Sequence, residues 1–120
     1  MKVADIPDLK ARTRAFALQT IRMYAALPKT TEAQILGRQL IRSGTSVGAH
    51  HRESVRAKSD ADFIIKIEGG LQELEETAYW LELIGDAGIL SPTELQSHYV
   101  ETNQLIAIFV TIVRKVKNNG

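Results

Sequence analysis

The chain reads as all-α, folded as an antiparallel up-and-down four-helix bundle. Three observations predict this fold. Four long segments carry apolar residues at three- and four-residue steps, short connections rich in breakers separate them, and no two strand-like segments are available to pair into a sheet. At 120 residues, 44% hydrophobic and 24% charged, the chain has the size and balance of one globular domain spanning 1–120.

The elements follow in order. Asp8, just after Pro7, is placed to cap a first helix over about 8 to 27, with Leu9, Phe16, Thr20, Met23 and Leu27 on one face and Leu27-Pro28 as its stop. Thr30 or Thr31 caps a second helix, whose apolar positions Leu36, Leu40 and Val47, with His51 as a candidate fourth, recur every three to four residues, and which ends near Arg56 to Lys58. Ser59 with Asp62 reads as a capping box with Asp in place of Glu. The third helix then shows a clean stripe of Phe63, Ile67, Gly70, Leu71, Leu74, Ala78, Leu81 and Ile84. Gly85 and Gly88 end it. Ser91-Pro92, with Glu94 completing a capping box, starts a fourth helix that runs to about Lys117.

The fourth segment contains LIAIFVTIV, Leu105 to Val113, whose β-branched residues would also suit a buried strand. The capped start at Ser91 and the lack of a partner strand favour helix. Such a helix is apolar nearly all round, so something must cover its far side. Ile106, Phe109, Val110 and Val113 are therefore the expected surface of a homo-oligomer.

Glycines inside helices cost about 1 kcal/mol each relative to alanine and need a reason. Ser43, Gly44, Gly48 and Ala49 are expected to form a groove without side chains, with Gly69 and Gly70 as its partner on helix three. The GTSVG string lacks the Gly-Lys-Ser/Thr ending of a phosphate loop and falls within a helix.

Chemistry is sparse. There are no cysteines, which excludes disulfides, thiolate nucleophiles and Cys-based metal centres and fits a reducing compartment. No signal peptide or membrane span is written in the sequence, so a cytoplasmic protein without a membrane partner is expected. His50 and His51 are adjacent and point about 100° apart on a helix, HEXXH is absent, and no Glu-x-x-His pair or nucleophile elbow occurs. The expectation is no catalytic residue, no metal and no cofactor. Glu73 and Glu76 flank Leu74 and are expected to meet the basic helix two, in a polar network with Arg42 and Glu53.

Charge is segregated. Residues 1–58 hold 11 Lys/Arg against 4 Asp/Glu, and residues 59–120 hold 4 against 10. The first half therefore offers a candidate phosphate-binding surface of Lys10, Arg12, Arg14, Arg22, Arg38, Arg42, Arg52, Arg56 and Lys58. Aromatics for base stacking are few.

The strings RQLIRSGTSVGAHHRES (Arg38 to Ser54) and DFIIKIEGGLQELEETAYWLELIGDAGIL (Asp62 to Leu90) resemble the small bacterial four-helix-bundle proteins related to those encoded in intervening sequences of large-subunit ribosomal RNA genes. The resemblance implies an up-and-down bundle and a ring-like homo-oligomer, a cyclic pentamer. It also implies family-typical polar positions at Arg42, Ser43, Thr45, Ser46, Glu53, Glu73 and Glu76. The chain departs from the pattern at His50, where members commonly carry asparagine. An accessory protein of diversity-generating retroelements is similar to this family and implies binding to nucleic acid and to a reverse transcriptase. The expected function is a non-enzymatic, oligomeric interaction module associated with RNA or a ribonucleoprotein, with DNA as the other possible nucleic acid. Two alternatives stand beside it: a protein scaffold without nucleic-acid affinity, and a small-molecule or metal-binding bundle with its site near His50, Glu53, Glu73 and Glu76. No motif points to a particular protein partner.

Overall fold

Four side-chain caps punctuate the chain, and each sets the start of a helix in the computed structural model, which describes residues 8–119. Asp8 accepts from the Ala11 amide at 3.1 Å and opens α1, Leu9–Ala26. That helix stops where Leu27 turns extended ahead of Pro28. Thr30 accepts from the Ala33 amide at 3.3 Å and opens α2, Thr31–Val55. Ser59 accepts from the Asp62 amide at 3.0 Å and opens α3, Asp60–Asp86. The Asp62 carboxylate accepts from the Lys58 amide at 3.1 Å, one residue before the position that a Glu would reach in a capping box. At Ser91 the box is complete. The Glu94 amide donates to Ser91 Oγ at 3.2 Å and the Ser91 amide to Glu94 Oε1 at 3.0 Å, opening α4, Pro92–Asn119.

α3 ends one residue past Gly85, and Gly88 supplies the turn. With φ at 72° it takes the left-handed conformation that lets the Gly88 amide reach the Gly85 carbonyl and the Ile89 amide the Ile84 carbonyl. Ile89 then packs beside Ile84, the apolar contact that accompanies this motif.

The helices run up and down in sequence. α2 packs closely on both α1 and α3, α3 packs on α4, and α1 and α4 close the ring through the thinnest seam. The bundle measures 48 × 23 × 21 Å. The core has two apolar parts: Phe16, Val47, Ile67, Leu74, Leu105 and Phe109 toward one end, and Leu40, Leu81, Ile84 and Leu95 toward the other. Between them lies a layer of polar side chains, one from each helix: Thr20, Ser43, Thr77 and His98, all fully buried.

Every hydroxyl in this layer has a partner, as burial requires. Thr77 Oγ1 lies 2.8 Å from both Ser43 Oγ and the Glu73 carbonyl, and Ser43 donates to the Leu40 carbonyl at 3.2 Å. Thr20 donates to the Phe16 carbonyl at 2.9 Å, so at 2.8 Å from His98 Nε2 it acts as acceptor and the imidazole as donor. His98 Nδ1 has no partner among the described residues, and the ring stacks on Phe16 with centroids 4.5 Å apart. Arg12 reinforces the same seam with a two-pronged bond to Glu101, both distances 2.8 Å, and a third bond to Gln104 at 2.9 Å.

Two sequence expectations are corrected here. Leu105 to Val113 is helical but two-sided: Leu105, Phe109, Ile112 and Val113 are buried in the chain's own core, while Ala107 and Thr111 face solvent. Gly70 makes room for the Phe109 ring, which a Cβ there would meet at 2.7 Å. The oligomer-interface expectation loses Phe109 and Val113 and retains only the half-buried Ile106 and Val110. The small-residue stripes also do not face each other. Gly44 and Gly48 lie against Thr20 and Thr13 of α1, whereas Gly69 receives the His50 ring. Ser43 points to α3, and Gly44, one residue and about 100° further round, must point to the other neighbour.

Candidate nucleic-acid interface

The antiparallel path fixes which charges meet. The start of α1, the end of α2, the start of α3 and the end of α4 share one end of the bundle, as the pairs Glu53–Lys66 and Lys117–Glu68 show. Between α1 and α2 at that end runs an open depression of about 270 Å³. Lys10 and Arg14, one turn apart on α1, form one bank, and Arg52 forms the other. The floor is small side chains, Thr13, Ala17, Thr45, Gly48 and Ala49. Gly48 sits so close that a Cβ would meet Thr13 Oγ1 at 3.2 Å, which keeps the floor low.

A second depression of about 430 Å³ continues from it, sharing Lys10 and Arg52 and adding His51, Glu53 and Arg56. Lys10, Arg14, Arg52 and Arg56 are all exposed, and none forms an ion pair with another described residue. Two carboxylates neighbour this stretch: Glu53, 3.8 Å from Lys66 Nζ and drawn toward α3, and Asp8, which caps α1 and borders a depression with Lys10 and Arg14. The result is a channel lined by four cations that form no ion pair with another described residue, over a smooth floor, a surface of the kind that accepts phosphates.

The other sequence candidates fall elsewhere. Arg12 is committed to Glu101 and Gln104, a bond that holds its guanidinium more firmly charged, so it is removed from the phosphate-binding set. Arg38 and Arg42 are exposed but lie about 21 and 15 Å up α2 from Arg52. Arg42 faces Glu76 at 4.0 Å. Arg22 is exposed near the far end of α1, and Lys58 is exposed on the turn after α2. Three cations that the division by halves had placed with the acidic part, Arg114, Lys115 and Lys117, return to the basic end because α4 runs antiparallel to α3. The antiparallel order of the four helices was the signal that could have found them.

The expected polar network forms in part. Arg42, Glu73 and Glu76 meet across α2 and α3, and burial, together with the neighbouring Glu76, pushes the Glu73 carboxyl above its ordinary range, opposed by Arg42 and Ser46. Glu53 stands about three turns away, eleven residues along α2 from Arg42, and belongs to Lys66 instead. The alternative site near His50, Glu53, Glu73 and Glu76 is therefore not assembled. His50 packs on Gly69, and among the described residues no three His, Asp or Glu side chains converge as metal ligands. Among the described residues no helix is long and apolar enough to cross a membrane.

Comparison with known proteins agrees with this architecture. The family model described as 23S rRNA-intervening sequence protein matches residues 8–111. A crystal structure of a protein with unknown function from the S23 ribosomal protein family of Bacteroides thetaiotaomicron VPI-5482 is similar, with a TM-score of 0.82 and 32% identity over 87% of this chain and 96% of that one. Comparison with the curated proteins found no match.

Proposed function

The chain belongs to the 23S rRNA-intervening sequence protein family, and from that premise we propose that it is a non-enzymatic, oligomeric interaction module that associates with RNA through the basic channel between α1 and α2. One observation carries the reading: Lys10, Arg14, Arg52 and Arg56 line a continuous open channel free of competing carboxylate pairs among the described residues. Such a surface grips phosphates and leaves sequence unread, because the exposed large aromatic, Tyr79, lies on α3 rather than beside the channel. A homo-oligomer, a cyclic pentamer by family resemblance, would repeat the channel and multiply a modest charge per chain into a strong field.

The test is binding of a generic labelled RNA across a salt series. About four phosphate contacts per chain predict a log–log slope near −3. Light scattering on the same sample should give a mass near five times 13.3 kDa. Absence of RNA binding at low salt would leave a protein scaffold as the reading, and a monomeric mass would remove the multivalent surface.

A further inference from the structure

The same end of the bundle opens a second cavity, also of about 270 Å³, whose character is different. Leu9, Ile67 and Ile112, from α1, α3 and α4, line it with buried apolar side chains. Lys115 and Val55, both exposed, stand at its edge. His51 forms the wall between this cavity and the basic channel, lining both.

His51 is also the polar group best placed to read a ligand. Its Nδ1 is buried without a partner among the described residues. A buried orphan N–H is rarer than a buried orphan acceptor, so the ring proton belongs on Nε2. Burial holds the ring below its ordinary pKa, against an opposing pull from the Asp8 carboxylate, and so favours the neutral imidazole. Two carboxylates lie nearby: Asp8 caps α1 and its charge still acts on His51, and Glu53 lies against Lys66. Lys115 has no ion pair with another described residue, so among these residues its ammonium is available to an anion at the rim.

We propose that this cavity binds a small amphiphilic carboxylate, with its apolar body against Leu9, Ile67 and Ile112 and its carboxylate toward Lys115 and His51. The volume sets the size. At about 30 Å³ per water-sized group, 270 Å³ accommodates on the order of nine non-hydrogen atoms, close to those of octanoate. The apolar lining supplies affinity, and the two polar groups supply orientation.

The experiment titrates the full chain with octanoate, 1-octanol and octylammonium by calorimetry, with methyl resonances of Leu9, Ile67 and Ile112 recorded to locate the ligand. Octanoate should bind at least about tenfold more tightly than octylammonium and shift those methyls. Lys115→Glu, a change at an exposed position that leaves the core intact, should weaken octanoate about tenfold and leave 1-octanol unchanged. Failure of octanoate to bind at millimolar concentration, shifts confined to other methyls, equal binding of all three probes, or an unaltered octanoate affinity in Lys115→Glu would each overturn the assignment.

Discussion

Acidification probes the buried polar layer through His98. In the unfolded chain its imidazole takes up a proton near pH 6.5, whereas in the bundle burial holds the group down to about 4, against a small opposing pull from Glu101. Between those values the unfolded chain binds more protons than the folded one, so stability rises with pH across the window. The contribution is fully present above pH 6.5 and is lost as the pH falls toward 4. At 1.36 kcal/mol per pH unit, the displacement from 6.5 to about 4 amounts to about 3 kcal/mol, of which about 2 kcal/mol should be lost between about pH 7 and pH 4.5. The assay is urea unfolding followed by circular dichroism at those two pH values, for the wild type and for His98→Gln. Glutamine keeps a donor for Thr20 but does not titrate, so subtracting the two pH responses cancels the carboxylates and the other two histidines. The wild type should lose about 2 kcal/mol more than the variant. Equal losses in both would show that His98 is not held neutral by its surroundings, and the account of the layer would be refuted.

Other outcomes follow from the packing. Gly70→Leu drives a side chain into the Phe109 ring, so thermal melting should report a loss of about 1 to 3 kcal/mol or a changed assembly mass; an unchanged melt and mass would refute the close contact. Arg12→Ala removes the two-pronged bond to Glu101 across the α1–α4 seam, where both side chains are partly exposed. It should cost about 1 kcal/mol and increase amide exchange along α1 more than along α2. Ser91→Ala breaks the reciprocal cap of α4 and should cost about 1 kcal/mol in denaturant unfolding.

The local signals in this sequence were legible because their physics is local. Asp8, Thr30, Ser59 and Ser91 each sit three residues before the amide they cap, and the structure uses all four. What depends on the third dimension was not readable in the same way. Nine consecutive mostly apolar residues hide the helical period, so Phe109 and Val113 looked like surface until Gly70 of α3 gave the ring a socket. Thr20 fell on the apolar stripe of helix one by its spacing, but Ser43, Thr77 and His98 are polar letters that a hydropathy reading assigns to the outside. They are buried because each finds its partner on the neighbouring helix or in the preceding turn. Arg12 counted as a free cation until the fold brought Glu101 to it across 89 residues. The basic channel was half legible: the charge excess of α1 and α2 is visible in the sequence, but its narrowing to Lys10, Arg14, Arg52 and Arg56 depends on which faces of the two helices meet.

If the basic channel between α1 and α2 holds RNA, reversing its charges must abolish binding. Affinity for a generic labelled RNA is measured at low salt for the wild type and for a triple variant, Lys10→Glu, Arg14→Glu and Arg52→Glu, with thermal melting to confirm that the variant remains folded. The wild type should bind RNA and the triple variant should lose that binding, while Arg38→Glu, about 21 Å from Arg52 along α2, should reduce it far less. Wild-type affinity retained by a folded triple variant would contradict RNA binding in this channel.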